Sequence, residues 1–552
     1  MSILTRFVSS PPDYTAWVLL IGIIGMPITH WLFLRAFESH QCKSPPSASY
    51  RIPFLDHTRA FAEGGARLCQ TLKAQTGARV PLLFDLPGTK VILLTSPNII
   101  RGTLYNTSVF ATNKLRSRFV RNVLKYTRKA AKIIENDTSG GDPRPLPGSR
   151  VAPNQRILRM QHESTFELIS SKHGMAAVSS QFSRIFEEGL MTHGINNDWK
   201  EMDDLFVFIR ELAGHSGIGA LCGPQLFKEE PQFLDLFWAF DRNIHFYHMG
   251  YPEWLRPEAK QARQRCMQAL SRWRRKAVQA TSGPNYPKDK LWDEHWGFKG
   301  MRLRNELYDR FGDIDDTGRN GADLGFLWAA NCNLVNTIYY FILALLRDKS
   351  VRERCLEEME VARIPSETKD GLPRFDYNLL MKQPLLQSVL NETLRTEVTS
   401  LIARTIEKDH KIEGYTLPKN ALSCVSIAVE HNDKSRWETR PGAENHPVEQ
   451  FWPERFLDQE QLKTKCPHQS PQVSMKNLEG TFIPFGIGHY MCPGRHFAVR
   501  TIVSIAAMFI DSYDVEPKEE DSWDSTERDY TTFGYAILRP VQPMPFRIRR
   551  KL

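Results

Sequence analysis

The chain has 552 residues, 24% of them charged and 41% hydrophobic, which is ordinary for a globular protein and enough for one large core or several smaller ones. Its net charge of +9 is spread along the sequence with no basic block interleaved with aromatics, which argues against nucleic acid and suits an anionic membrane surface or an acidic protein partner. The nine cysteines are scattered and none forms a C-x-x-C pair, which argues against a zinc site or a dense disulfide framework and fits a reducing, cytosol-facing location.

Residues 16–34 (AWVLLIGIIGMPITHWLFL) are apolar over about one bilayer thickness, with Trp17 and Trp31 near the ends where interfacial aromatics sit. Arg35, Lys43 and Arg51 follow this run and only Arg6 precedes it, so the positive-inside rule puts its C-terminal side in the cytoplasm. A cleaved signal peptide is the competing reading, but the run is long for an h-region and the basic residues lie on the wrong flank. These features predict a lumenal N-terminus over 1–14, a transmembrane anchor over 15–37, a polar Pro-rich hinge over 38–53 and a main domain over 54–552.

Residues 81–95 read as two short strands around the turn Pro87-Gly88, and residues 138–153 as a loop. Residues 200–280 read as helices broken at Gly223-Pro224 and Tyr251-Pro252. Phe237, Trp238, Phe240, Phe246 and Tyr247 in this region either line a pocket or belong to the core. Residues 312–323 are loop-like by composition, and a long apolar helix pattern runs over 322–347. Within it Ala329, Cys332, Asn333 and Asn336 fall on one helical face, and small and polar groups in one stripe of a buried helix imply a cavity beside it. The alternative is a set of buried asparagines bonded to nearby backbone.

Residues 384–395 form another helix pattern in which Glu392 and Arg395 share a face. Taken alone, such a pair is a surface ion pair of small consequence. Arg404 follows, then His431-Asn432-Asp433 and the segment Pro453-Glu454-Arg455-Phe456. Residues 482–498 (FIPFGIGHYMCPGRHFA) place Cys492 on a glycine-rich loop directly before a helix pattern. Backbone N–H groups at a helix N-terminus favour a thiolate, and a thiolate on such a loop can be the axial ligand of a haem iron. A buried structural cysteine is the plain alternative.

The pattern Phe485-Gly486-x-Gly488-x-x-x-Cys492-Pro493-Gly494, with Glu392-x-x-Arg395 and Arg455 before it, resembles the haem-binding and Glu-x-x-Arg signatures of the cytochromes P-450. The resemblance covers roughly residues 45–552. It implies a mainly α fold with a small β-rich region, haem b held by Cys492, and Phe485, Gly488, Tyr490, Gly494 and Arg404 as cofactor-binding residues. Arg404 is then the candidate for a haem propionate. Tyr490 departs from the pattern, because the family has Arg or His two residues before the cysteine. Glu392, Arg395 and Arg455 are implied as a structural triad that needs the planar fork of arginine. The Trp-x-x-x-Arg haem contact of the family is not clear, and Arg156, Arg159 and His162 are its candidates. The tip of a hairpin over 531–539 is implied to bring Phe533, Gly534 and Tyr535 to the substrate, together with Ala329 and Asn336.

The family's acid–alcohol pair on the central helix is replaced here by Cys332 and Asn333, as in the sterol 7-hydroxylase and prostacyclin synthase branch. Asn333 cannot act as an acid, but it can donate a hydrogen bond or hold a water. The resemblance implies a eukaryotic microsomal enzyme, fungal in type, anchored once in the endoplasmic reticulum membrane with its catalytic domain in the cytoplasm. It implies monooxygenation of a lipophilic terpenoid, steroid or other specialised metabolite. Electrons would come from NADPH through a separate reductase, since no flavin or dinucleotide fingerprint is present. The rival readings are an isomerase or dehydratase that needs neither dioxygen nor reductase, and a non-enzymatic haem- or lipid-binding protein.

Overall fold

The computed structural model describes residues 43–48, 55–76, 80–86, 88–364, 371–463, 471–519, 523, 527–530 and 536–551. The N-terminal segment and anchor over 1–37, the hinge except residues 43–48, and Phe533, Gly534 and Tyr535 lie outside these residues.

One helix of 32 residues, Asp316–Arg347, runs through the middle of the molecule. At a rise of 1.5 Å per residue it is about 48 Å long. Its second half buries Ile338, Tyr339, Phe341, Ile342, Leu343 and Leu345 completely, as a helix apolar on all sides must. The helix begins six residues earlier than the apolar pattern suggests, because Asp315 caps it by accepting from the Gly318 N–H at 2.9 Å. Residues 316–323 look loop-like because they are polar. In the fold Asn320 and Asp323 are buried against arginines, and Gly321 lets the Leu124 carbonyl approach where a Cβ would come within 1.9 Å of it.

Helices Leu205–Cys222, Pro257–Thr281, Pro384–Glu397 and Arg495–Ser512 pack around this axis. Among the described residues, Leu205–Cys222 and Asp316–Arg347 are long and apolar enough to cross a bilayer, but 78% of an apolar 18-residue stretch in each is buried inside the protein, so they are core helices. The breaks expected between residues 200 and 280 are present, separating Leu205–Cys222, Gln225–Glu229, Phe233–Arg242, Ile244–Met249 and Pro257–Thr281.

The β structure is small and lies at one side. A five-stranded sheet has the order Leu82–Leu86, Thr89–Leu93, Leu422–Ser426, Leu401–Ile406 and Phe110–Ala111. Its first two strands are the expected hairpin, paired from Leu82↔Leu93 to Leu86↔Thr89. The strand Leu401–Ile406 carries Arg404 and points it away from solvent. A three-stranded sheet of Lys200–Met202, Tyr513–Pro517 and Phe546–Arg550 joins the chain's end to its middle. The architecture is mainly α with a small β-rich region, as the sequence implies.

Candidate haem site

A cavity of about 970 Å³ lies between the central helix and the Cys492 loop. The central helix presents Ala322, Gly325, Phe326, Ala329, Ala330, Asn333 and Thr337 to it, a stripe with the helical spacing of three and four. The loop side contributes Phe485, Tyr490, Cys492 and Gly494, and the sheet contributes Arg404. Ala329 and Asn333 therefore stand where expected.

Cys332 and Asn336 do not. One residue back from the stripe is about 100° around the helix, which turns both away from the cavity. Cys332 is buried towards Asp241, and burial together with that carboxylate pushes its thiol well above the usual range. Asn336 donates to the Ile537 carbonyl at 2.8 Å, while the Ile537 N–H donates to Asn333 Oδ1 at 3.4 Å. Two asparagines thus strap residue 537 to the helix, and Ala536 and Ile537 become part of the cavity wall. Phe237, Trp238, Phe240, Phe246 and Tyr247 are core residues and none lines the cavity; His245, His248 and Met249 do so instead.

The Cys492 loop is held as a rigid turn. The Cys492 N–H donates to the Phe485 carbonyl at 2.9 Å, and Ser170 Oγ donates to the Pro493 carbonyl at 3.1 Å. Gly488 has φ +76°, and a Cβ there would meet the Leu104 carbonyl oxygen at 2.8 Å. Gly488 is off the cavity wall, so its contribution is to the turn. Burial pushes the Cys492 thiol up, and the N–H groups of Gly494 and Arg495 oppose this without overcoming it. The thiolate preference expected from the helix N-terminus alone is therefore not reached by the protein's own groups.

Behind the loop, Glu392 receives both nitrogens of a fork from Arg395, Nε at 2.7 Å and Nη2 at 2.9 Å, and Nε of Arg455 at 3.0 Å. The Trp452 N–H adds a fourth bond at 2.9 Å. The side chains of all three charged residues are fully buried. Arg455 also donates to the carbonyls of Pro447 and Gln450 at 3.0 Å, so the excess guanidinium charge is met by backbone dipoles.

Arg116 is the residue that sequence reading missed. It lies on helix Asn113–Asn122 with Leu115, Phe119 and Val120 on the cavity wall. Its guanidinium carbon is 4.6 Å from the centroid of the Tyr490 ring, and that of Arg404 is 5.1 Å from the same centroid. Tyr490 thus gathers two cations where the family pattern has one basic side chain. Burial and Arg116 pull Arg404 down to about 10, and burial lowers Arg116 as well. Among the described residues neither arginine forms a salt bridge, and Nη1 of Arg116 is buried without a hydrogen-bond partner. Arg156, Arg159 and His162 do not reach the cavity. Arg156 donates to the carbonyls of Asp142 and Pro143 at 2.6 and 2.9 Å, and Arg159 pairs with Glu167. The available signal for Arg116 was a cation embedded in the apolar stripe of an amphipathic helix.

A soft sulfur ligand and two unpaired buried cations on one apolar cavity are the donor set for a flat apolar cofactor that bears iron and two carboxylates. The fold and this site define a haem-thiolate protein. The family model for Cytochrome P450 matches residues 314–543, from the start of the central helix past the Cys492 loop. The chain is 26% identical over 92% of its length to the cytochrome P450 monooxygenase efuG of Hormonema carpetanum, and 27% identical over 96% to fsoE of Humicola fuscoatra. These alignments cover 90% and 93% of the two relatives, both fungal. It is 26% identical over 46% of its length to cytochrome P450 7A1 of Oryctolagus cuniculus. The solved structure of a retinoic-acid-bound cyanobacterial CYP120A1 has the same fold, with a TM-score of 0.62 over 93% of this chain and all of that one at 16% identity. The chain is thus similar to cytochromes P450 in its fold, to the family model over residues 314–543, and over nearly its full length to the fungal monooxygenases.

Proposed function

We propose that the protein is a haem-thiolate monooxygenase that oxidises a lipophilic small molecule. The observation that carries this reading is the placement of Cys492, Arg116 and Arg404 on one apolar cavity. Cys492 Sγ would hold the haem iron, and Arg116 and Arg404 would hold its carboxylates, with Tyr490 between them fixing both guanidiniums. Bound haem supplies the iron at which dioxygen is activated. The cavity wall of leucine, isoleucine and phenylalanine side chains excludes bulk water and takes an apolar substrate. Asn333 stands on the wall opposite the cysteine loop, where its amide orients a water or a hydroxyl but cannot itself release a proton.

The names of the full-length relatives support monooxygenation over isomerisation or dehydration, and Cys332 faces Asp241 in place of the cavity. Electrons from NADPH through a separate reductase, a single anchor over 15–37 in the endoplasmic reticulum membrane and a cytoplasmic domain over 54–552 complete the proposal; the apolar run at 16–34 and the basic residues after it support them. The substrate class is a terpenoid, steroid or other specialised metabolite.

The test has two parts. Cys492→Ala removes the thiolate-type reduced carbon-monoxide spectrum, and an unchanged spectrum would refute the ligand assignment. Deleting the gene in its native host and profiling metabolites by mass spectrometry yields a precursor one oxygen lighter than the lost product. A precursor of equal mass would favour isomerisation.

A further inference from the structure

We infer that the cavity contains a carboxylate-recognition subsite on helix Lys299–Tyr308, formed by Arg304 with Tyr308 and Tyr126, and that the substrate is an elongated lipophilic acid. The inference rests on the reading of the cavity as the haem and substrate site.

Arg304 and Tyr308 are one turn apart, both buried and both on the cavity wall. Arg304 donates through Nε to Asp323 Oδ1 at 3.2 Å, and through Nη2 to the Ala322 carbonyl at 2.8 Å and the Tyr308 hydroxyl at 3.4 Å. The other oxygen of Asp323 receives Arg274 Nη1 at 3.3 Å. Two guanidiniums therefore share one carboxylate, and all three side chains are 7% exposed or less. One positive charge is left in an apolar surrounding, where an opposite charge is worth far more than in water. Among the described residues Nη1 of Arg304 has no acceptor.

The Tyr308 hydroxyl supplies a second donor. Gln161 Nε2 donates to the Tyr308 hydroxyl at 3.0 Å, and Tyr126 lines the same part of the cavity. The Tyr308 hydroxyl accepts from Gln161 and Arg304 and donates to no acceptor among the described residues, so its proton remains to be given outwards. An N–H of a guanidinium fork beside an O–H matches the two oxygens of a carboxylate. Apart from Gln161, which is spent on Tyr308, the wall here includes Leu124, Leu158 and Phe326, which offer nothing to a more highly charged or fully polar ligand. Along the central helix Ala322, beside Arg304, and Asn333 are eleven residues apart, which corresponds to about 16 Å. An acid held at Arg304 and oxidised near Asn333 is thus a multi-ring or long-chain skeleton with its carboxylate far from the reacting carbon.

The probes are matched pairs of acid and methyl ester on two skeletons, hexadecanoic acid and abietic acid, bound to the purified haem-loaded enzyme. Equilibrium dialysis reads the affinity, and the reduced carbon-monoxide spectrum reads the haem-thiolate state separately. In the wild type at least one acid binds about ten-fold or more tightly than its ester, the scale of a hydrogen-bonded charge pair. Arg304→Gln abolishes this preference while ester affinity stays within about two-fold, Arg304→Lys restores part of it, and Tyr308→Phe, which removes no charge and keeps the fold, lowers it several-fold. Absence of an acid preference with both skeletons, or a preference that survives Arg304→Gln and Tyr308→Phe, overturns the subsite. Loss of the thiolate spectrum in the wild type would instead overturn the monooxygenase reading.

Discussion

Ile483 donates its backbone N–H to Nε2 of His431 at 3.1 Å, and Nδ1 of the same ring lies 3.0 Å from the Arg395 carbonyl. One buried imidazole thereby ties the start of the cysteine loop to the helix that carries Glu392 and Arg395. With Nε2 accepting, the proton must sit on Nδ1, so the ring is neutral and of one tautomer. Burial and the neighbouring Arg395 charge press its pKa down to about 3.

This produces an acid limit on stability. His431, and His248 pressed to about 4 by burial, Arg118 and His245, both lie well below the ordinary histidine value. Below pH 6.5 the unfolded chain takes up protons that the folded chain refuses, so stability falls as pH falls, by at most about 1.4 kcal/mol per pH unit for each group. At pH 6.5 the slope is about half its maximum, and it fades within about one unit above that. Thermal melts of the haem-loaded protein at about pH 7.5, 6.5 and 5.5 should show a small drop over the first step and one roughly three times larger over the second. His431→Gln should lower the melting temperature at neutral pH and flatten part of that drop; an identical pH profile would count against the assignment.

Breaking the buried triad should be severe. Glu392→Ala leaves two buried guanidiniums facing each other without their carboxylate, and Arg455→Lys loses the fork that reaches both Glu392 and two carbonyls. Removal of one partner from such a cluster costs about 3–5 kcal/mol. The expected result is loss of soluble, haem-loaded protein for Glu392→Ala and a sharply reduced yield for Arg455→Lys, measured by haem absorbance per unit of polypeptide. A wild-type yield from either variant would mean the cluster is not structural.

Arg116 and Arg404 should contribute together to haem retention. Each is expected to add roughly ten-fold to the haem off-rate when replaced by alanine, on the scale of one charge-assisted hydrogen bond. Transfer of haem to excess apomyoglobin measures this. Arg116→Ala is the sharper test, because no family signature marks it: an off-rate equal to the wild type would remove Arg116 from the site. Tyr490→Leu should produce an intermediate effect, since it loosens both guanidiniums without removing either.

Asn333 and Cys332 should separate cleanly despite being neighbours. Asn333→Ala removes a polar group from the cavity wall and one of the two bonds to Ile537. Product formed per NADPH consumed should fall roughly ten-fold, with wasteful oxidation of the cofactor taking its place. Cys332→Ala should leave that ratio within about two-fold, because its thiol faces Asp241. Equal losses in the two variants would show that the helix face has been misassigned.

The sequence by itself determined the parts of this protein that are local. The Cys492 loop is legible because its glycines, proline and cysteine act over one turn of backbone, and the Glu392–Arg395 pair because it needs only one turn of helix. The helical period likewise placed Ala329 and Asn333 on the cavity side, although it could not resolve the 100° that removes Cys332 and Asn336. The tertiary structure alone decided what depends on distant segments meeting. Arg116 reaches Tyr490 only because helix Asn113–Asn122 meets a loop from the far end of the chain, and Arg304 is held at the cavity by Asp323 of a second helix, itself shared with Arg274 of a third. A charged side chain carries no mark of whether it will be solvated or buried; its surroundings settle that, through the cost of desolvation and the partners the fold brings to it.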